Sequence, residues 1–425
     1  MGSNRMKKVL MIAYQFPPMG GAGVQRTAKF AKYLPNFNWE PVIFTRQEVK
    51  SHLQDSSLMK DVSKDLTIIR TKSYDIREWP GIFGLGGKWL SRKFLYPDGE
   101  RIWQVFNQKI AAEIIQKEKI DVIYTTSYPY SDHLLGLYLK KQFPNIPWVV
   151  DFRDEWTNNP YILDMNYSNF RMKKEKKMEK AVIENCDFFI TNTPIMLRNF
   201  KDDYSLLQKN NSFVIPNGYD EEDFIGLQRK VPYNEKMIIT YTGAMYGRRK
   251  PDSFFQALQE LIQENSISKD KIEVRFIGEY AKNLNEKIVQ YGLKKVVKVL
   301  PYMKHRESIQ KLLESDILLL IIGAGPGAET FYTGKVFEYL NTNRPILALV
   351  PEKGVAAQLL RETQTGWIAD IQDTSKIKQN IKQLYQKWNN REEMITPDRN
   401  VIQQYERKML TKKLAQVLDL TQRDL

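Results

Sequence analysis

The run Val9-Leu10-Met11-Ile12-Ala13-Tyr14 passes at once into a loop, Gln15-Phe16-Pro17-Pro18-Met19-Gly20-Gly21-Ala22-Gly23, and then into Val24 to Leu34. That order constrains the fold more than any other feature of the chain. A short apolar run bounded by charge and punctuation reads as a strand buried on both faces. In the next segment Val24, Ala28, Ala31 and Leu34 recur at helical spacing and face inward. Pro41-Val42-Ile43-Phe44-Thr45 is a second strand. Strand, helix, strand implies a right-handed crossover and a parallel sheet. The start, MGSNRMKKVLMIAY, mimics a short signal peptide, but the glycine loop behind it favours a short leader followed by a core strand.

The alternation continues. Asp121-Val122-Ile123-Tyr124-Thr125 reads as a strand and Ser131 to Lys141 as a helix, with Ser131 its candidate N-cap. Trp148-Val149-Val150-Asp151 is a strand, Arg171 to Cys186 a charged helix, and Phe188-Phe189-Ile190-Thr191-Asn192 a further strand. Ser212-Phe213-Val214-Ile215 leads to the turn Pro216-Asn217-Gly218-Tyr219-Asp220, and loose polar sequence then runs to about Lys236, as an interdomain linker does. A second α/β series opens with Met237-Ile238-Ile239-Thr240-Tyr241. Its further strands fall at Ile272 to Ile277, Val296 to Leu300, Ile317 to Ile322 and Ile346 to Val350. The tail from Asn400 to Leu420 is amphipathic, with Ile402, Tyr405, Met409, Leu414, Val417 and Leu418 available to pack. Single cores stop growing at roughly 250–300 residues, so 425 residues in two α/β series imply two domains.

Charge narrows the partners. A net charge of +14 favours nucleotide phosphates, anionic headgroups or nucleic acid. No zinc finger or RNP sequence accompanies it, so nucleic acid has only the charge in its favour. The single cysteine, Cys186, forms no internal disulfide and fits a reducing cytoplasm. With His52, His133 and His305 widely spread, no His/Cys zinc site is expected. No run reaches the ~18 apolar residues of a membrane span. The stretch Trp79 to Trp103 interleaves aromatics with Lys88, Arg92, Lys93 and Arg101, as an interfacial segment or a packed lid would.

Ligands of open α/β sheets bind beyond the carboxyl ends of the strands, and four groups stand there. Gly20, Gly21 and Gly23 let a backbone approach a ligand ahead of a helix N-terminus, although the spacing is not the dinucleotide fingerprint. Asp151, Arg153 and Asp154 lie at a strand end, as cleft residues or as a structural ion-pair set. Gly243, Arg248, Arg249 and Lys250 follow the first strand of the second series. Cations there neutralise a pyrophosphate, though they oppose the dipole if a helix begins at them. Gly325, Gly327 and Glu329 form a loop before a helix beginning near Thr333 or Gly334, with Lys335 and, one turn in, Glu338, a carboxylate suited to ribose hydroxyls. His133, near a helix start, is either a core histidine or a cleft group.

These motifs, in this order, resemble the GT-B glycosyltransferases, specifically the retaining family 4 group with its glycosyl-transferases group 1 C-terminal domain. YQFPPMGGAGVQR resembles the family's acceptor-side glycine loop, DFRDEW its DFRDPW-type strand end, VIPNGYD its linker, and TGKVFEYLNTNRPILAL its nucleotide-binding helix. The resemblance implies two Rossmann-like domains. Residues 1–210 would bind the acceptor, with a terminal helix over 400–425 crossing back, and residues 211–399 would bind the nucleotide-sugar. It implies retaining transfer with no cofactor and no metal, the nucleotide-sugar being a substrate. Glu338 would bind ribose. Thr333, Gly334 and Lys335 would lie by the donor phosphates, with Arg248, Arg249 or Lys250 as the basic contact. Gly20 to Gly23 would lie near the diphosphate and acceptor, and His133 near the transferred sugar. Two positions depart from the pattern. Thr330 stands where the first of two paired glutamates is usual, with Glu329 one residue off, and Gly243-Ala244-Met245 replaces Gly-Arg-Leu.

The expectation is a cytoplasmic hexosyltransferase acting on a glycan or lipid-linked acceptor in bacterial surface polysaccharide synthesis, with a UDP- or GDP-linked donor. A peripheral contact with an anionic inner leaflet is part of it, and a nucleic-acid partner is not. The competing readings are a nucleotide-sugar epimerase on the same fold and a non-catalytic nucleotide-sugar-binding or membrane-scaffold module.

Overall fold

A computed structural model describes residues 5–20, 22–48, 55–75, 77, 87, 91, 94–208, 211–230, 233–245, 247–280 and 283–422. Most of the Trp79–Trp103 stretch, with Lys88, Arg92 and Lys93, and the glycine Gly21 lie outside them. The chain forms two compact units. One runs to Pro216 and takes in the chain from Arg407; the other spans Asn217–Glu406.

The first unit is built on a parallel seven-stranded sheet: β1 (Lys7–Ile12), β2 (Trp39–Arg46), β3 (Thr67–Thr71), β4 (Val122–Ser127), β5 (Trp148–Phe152), β6 (Phe188–Thr191) and β7 (Ser212–Val214), in the order β3-β2-β1-β4-β5-β6-β7. Its central strands read as apolar runs because helices cover both faces. Every residue of β4 is buried. Alternate residues of β1 serve different cores. Leu10 and Ile12 pack with Trp103, Leu135 and Trp148, whereas Val9 and Met11 pack with Phe30 and Leu34. Strand order reverses between β1 and β4, which pair from Val9↔Val122 to Ile12↔Thr125. In open α/β sheets a ligand crevice lies beyond the carboxyl ends of the strands at such a reversal.

The second unit repeats the plan with β8 (Met237–Thr242), β9 (Ile272–Ile277), β10 (Val297–Leu300), β11 (Ile317–Ile321), β12 (Ile346–Leu349) and β13 (Gly366–Ala369), ordered β10-β9-β8-β11-β12-β13. The reversal here falls between β8 and β11. The loops that follow these two strands are the glycine-containing ones singled out by sequence.

Three local expectations are corrected. The tail is two helices. Arg399–Gln403 is capped by Asp398, which accepts from Asn400 N and Val401 N at 3.0 and 3.1 Å, and Arg407–Leu420 follows it. They serve different cores: Ile402 packs in the second unit, and Leu410, Leu414, Val417 and Leu418 pack in the first. Met409, expected to pack, is exposed because it lies on the outer face of the second of these helices. Ser131 is the first residue of its helix, Ser131–Gln142, and Tyr130 is the N-cap. The Ser131 hydroxyl donates to Asp98, whose carboxylate also takes Ser131 N at 3.1 Å, so the cap comes from a distant carboxylate.

Candidate functional site

Beyond β8 the chain turns at Gly243, whose φ of 93° lies in the left-handed region. Gly278 lies so close behind it that a Cβ there would come within 2.9 Å of the Gly243 carbonyl oxygen. Arg248 lies in a turn with Arg249 and Lys250 in the irregular chain after it, and the next helix starts only at Asp252. The expected conflict between these cations and a helix dipole therefore does not arise. Beyond β11 runs the second glycine loop. Gly323 is covered by the Arg248 backbone, and Arg248 Nη1 donates to the Pro326 carbonyl at 2.8 Å. Arg248 thus clamps the two loops together. Gly327, at φ 79°, begins a short turn, Ala328–Thr330. Thr330 is buried there and donates its hydroxyl to Gly327 O at 2.8 Å, while Glu329 is half-exposed. Lys250 is exposed.

The helix Lys335–Asn341 has Gly334 as its N-cap and no side-chain cap. Tyr339 holds it to the end of β8: its hydroxyl oxygen accepts from Thr242 N at 3.1 Å. This brings Lys335 beside Gly243. Lys335 Nζ donates to the Thr242 carbonyl at 2.5 Å and lies 3.5 Å from the centroid of the Tyr241 ring. Among the described residues no carboxylate forms an ion pair with it. Burial, then the charge of Arg249, holds this ammonium well below the usual lysine range, and Glu338 partly opposes them. The Thr333 hydroxyl is buried and has no partner among the described residues. Glu338 Oε1 accepts from His305 Nε2 at 2.7 Å. Sequence reasoning missed His305 and Tyr241. Tyr241 lies near the carboxyl end of β8 and His305 opens the helix His305–Leu313 that follows β10, and that position beyond the strands was the available signal.

In the first unit Asp151 and Arg153 turn inward, as the structural alternative of the sequence reading has it. Asp151 is wholly buried because it is half of an ion pair: Arg26 Nε and Nη2 donate to it at 2.7 and 3.0 Å, and the Tyr124 hydroxyl donates as well. Arg26 also donates to the carbonyls of Ile215 and Pro216 at 2.8 and 2.9 Å, fastening the end of β7. Arg153 donates to the carbonyls of Ser127, Gly23 and Tyr128. Its guanidinium fills the place where a Gly23 side chain would stand, which accounts for that glycine. Gly20 is half-exposed in the same loop, and Asp154 is exposed. His133 is wholly buried, stacked on Phe152 with centroids 4.4 Å apart, and its Nδ1 is 2.8 Å from Thr125 Oγ1. Burial, and then Arg153, push its imidazole down to about 3, so it is neutral. Its Nε2 has no partner among the described residues. Asp98, which sequence also missed, is pushed up to about 8 by burial and by Glu100.

The second unit therefore gathers a cation without a carboxylate, an oriented glutamate and a buried hydroxyl around one strand-helix junction. That set suits an anionic, hydroxylated ligand. Comparison with known proteins agrees on the class. The family model for Glycosyltransferase Family 4 matches residues 20–223, and that for Glycosyl transferases group 1 matches residues 227–401. A sequence search of curated proteins finds no match. Among solved structures, sucrose-phosphate synthase from Thermosynechococcus elongatus superposes with a TM-score of 0.65 at 13% identity, covering 99% of this chain and 100% of that one. The E. coli trehalose-6-phosphate structure bound with UDP-2-fluoro glucose gives 0.64 at 11% identity, covering 98% and 99%. A putative UDP-N-acetylglucosamine 2-epimerase from Listeria monocytogenes gives 0.56 at 12%, covering 96% and 94%. These likenesses are of fold. With the two family models spanning nearly the whole chain in order, they establish that the chain belongs to the GT-B glycosyltransferases.

Proposed function

We propose that the protein is a retaining, metal-independent hexosyltransferase that moves a sugar from a UDP- or GDP-linked donor to a glycan or lipid-linked acceptor in bacterial surface polysaccharide synthesis. It works in the cytoplasm, peripherally at the inner face of the plasma membrane. The observation that carries the reading is Lys335, a cation held at a strand end without a carboxylate, between a ring face and a carbonyl. A diphosphate supplies the missing anion. Arg249 adds charge beside it, Arg248 keeps the glycine loop in place, and Glu338 takes the ribose hydroxyls. In transfer the bond from the anomeric carbon to the phosphate oxygen breaks and its electron pair leaves with the nucleoside diphosphate. The acceptor oxygen bonds to that carbon, and its proton passes to the departing phosphate. Lys335 and Arg249 stabilise the charge developing there. No protein nucleophile is required.

Thermal unfolding against UDP-, GDP-, ADP- and dTDP-sugars without metal tests the donor. A ligand at about 100 times its Kd adds about 2.7 kcal/mol of stability, and Glu338→Ala should abolish the shift. Release of nucleoside diphosphate only when an acceptor is present separates transfer from epimerisation. No shift with any nucleotide-sugar would favour the scaffold reading instead.

A further inference from the structure

The helix Asn169–Asn185 of the first unit sorts its charges by sign. Its mid-helix acids face inward. Glu175 accepts from Trp156 Nε1 at 2.7 Å and from Arg171 Nε at 3.1 Å, and Glu179 accepts from Thr157 N at 2.7 Å and the Tyr204 hydroxyl at 2.6 Å. Both are buried. Lys173, Lys174, Lys177 and Lys180 are exposed. Lys180 has Glu184 at 3.6 Å, but among the described residues Lys173, Lys174 and Lys177 have no carboxylate partner. Phe170, at the start of the same helix, is 63% exposed, with Lys174 Nζ 4.5 Å from its ring centroid. Phe170, Lys173 and Lys177 fall on one helical stripe. Just upstream, Leu163 and Met165 are 44% and 55% exposed. Single exposed apolar side chains are ordinary. Here three fall in one short segment, next to cations that lack counter-ions.

We propose that the surface formed by Leu163, Met165, Phe170, Lys173, Lys174 and Lys177 docks the protein on an anionic lipid bilayer. The lysines meet the headgroup phosphates and the apolar side chains enter the acyl boundary. A soluble polyanion satisfies the lysines but leaves Phe170, Met165 and Leu163 in water, whereas a bilayer satisfies both. The contact is peripheral, since among the described residues no helix is long and apolar enough to cross a membrane. The evidence for this face is independent of the donor site. It rests on the proposed peripheral location at the membrane, for which it names the surface.

The test is co-sedimentation of the full chain with phosphatidylcholine vesicles, with and without a third of phosphatidylglycerol, at low and high salt. Binding is expected only to the anionic vesicles and should be released by salt. Each lysine removed should lower partitioning about five-fold, so Lys173→Gln with Lys177→Gln lowers it about 25-fold. The same charge change at two exposed lysines elsewhere on this unit, Lys412→Gln with Lys413→Gln, should move it by less than about two-fold. Phe170→Ser should cost about ten-fold on vesicles and leave retention on immobilised polyglutamate unchanged. Three results overturn the proposal: no vesicle binding at low salt; equal losses from the two lysine pairs; or polyglutamate binding as tight as vesicle binding, with Phe170→Ser without effect. The nucleotide-sugar thermal shift, measured on the same samples, keeps the two readings apart. A shift without vesicle binding sinks the docking face and the peripheral location with it but leaves the donor site standing, and vesicle binding without a shift sinks the donor site alone.

Discussion

Both units place a cation near the carboxyl end of a central strand, and they treat it in opposite ways. In the first, Arg26 meets the Asp151 carboxylate and two backbone carbonyls, and Arg153 meets three carbonyls. In the second, Lys335 meets one carbonyl and a ring face. A buried cation with its full set of acceptors is architecture, since any incoming anion would have to displace partners already in place. A cation lacking a carboxylate still has most of its attraction for an anion unspent. The contrast marks the first set as fastening and is what supports the proposed ligand-binding role of the second, although the sequence shows arginine and lysine near glycines in both.

The largest effect that could break this contrast is on stability. Removing one partner from a buried ion pair costs about 3–5 kcal/mol, because the other charge is stranded. Asp151→Ala should therefore lower unfolding free energy by about that much, read by denaturant melts. A loss under about 1 kcal/mol would mean that water reaches Arg26, and that the first-unit cation is not closed off.

Next comes Lys335→Ala. Its stability should stay near wild type, since the ammonium there has little to lose, while turnover falls about 10²- to 10³-fold, as for other groups that stabilise a developing anion. A variant that unfolds as readily as Asp151→Ala while its residual turnover per folded molecule is unchanged would place Lys335 with Arg26.

His305 sharpens the contrast further. It holds one oxygen of Glu338, and on the proposed reading the other oxygen takes the ribose. His305→Ala should weaken nucleoside diphosphate binding by about ten-fold, and 2′-deoxynucleoside diphosphate binding much less. His305→Gln should recover part of the loss. Equal weakening for both nucleotides would mean that His305 supports the fold and not the ribose contact.

The readable parts of the molecule share one physical cause. Strands buried on both faces, such as β4 and β11, must be apolar throughout, so their sequences declare them. The edge strands β3 and β13 carry no such demand. Each is half-exposed along most of its length, and neither shows in the apolar pattern. The strand-end glycines were legible as well, because glycine is required where Arg153 fills the space at Gly23 and where the chain turns at Gly243. Which charged groups are already satisfied was not legible. Arg26 finds Asp151 across 125 positions and His305 finds Glu338 across 33, and such pairings exist only after the chain has folded. The same limit hid the Ser131–Asp98 cap.

The smallest effect is also the most direct reading of how Lys335 is held. Burial and Arg249 keep its ammonium well below the usual lysine range. In the free chain, over the interval between that depressed value and the ordinary one, the unfolded state holds a proton that the folded state lacks. Stability therefore rises with pH across that interval. A bound diphosphate reverses the imbalance by favouring the charged form. Binding within that interval should take up a proton, and affinity should fall as pH rises from the depressed value of the free chain to the higher value of the complex, by at most about ten-fold per pH unit for one proton. Lys335→Arg keeps its charge throughout and should flatten the profile. Calorimetry in two buffers of different ionisation enthalpy counts the proton directly. No uptake by the wild-type chain would mean that Lys335 is already charged before the ligand arrives. The second-unit cation would then be held as firmly as Arg26, and the difference between the two units would lie only in the missing carboxylate.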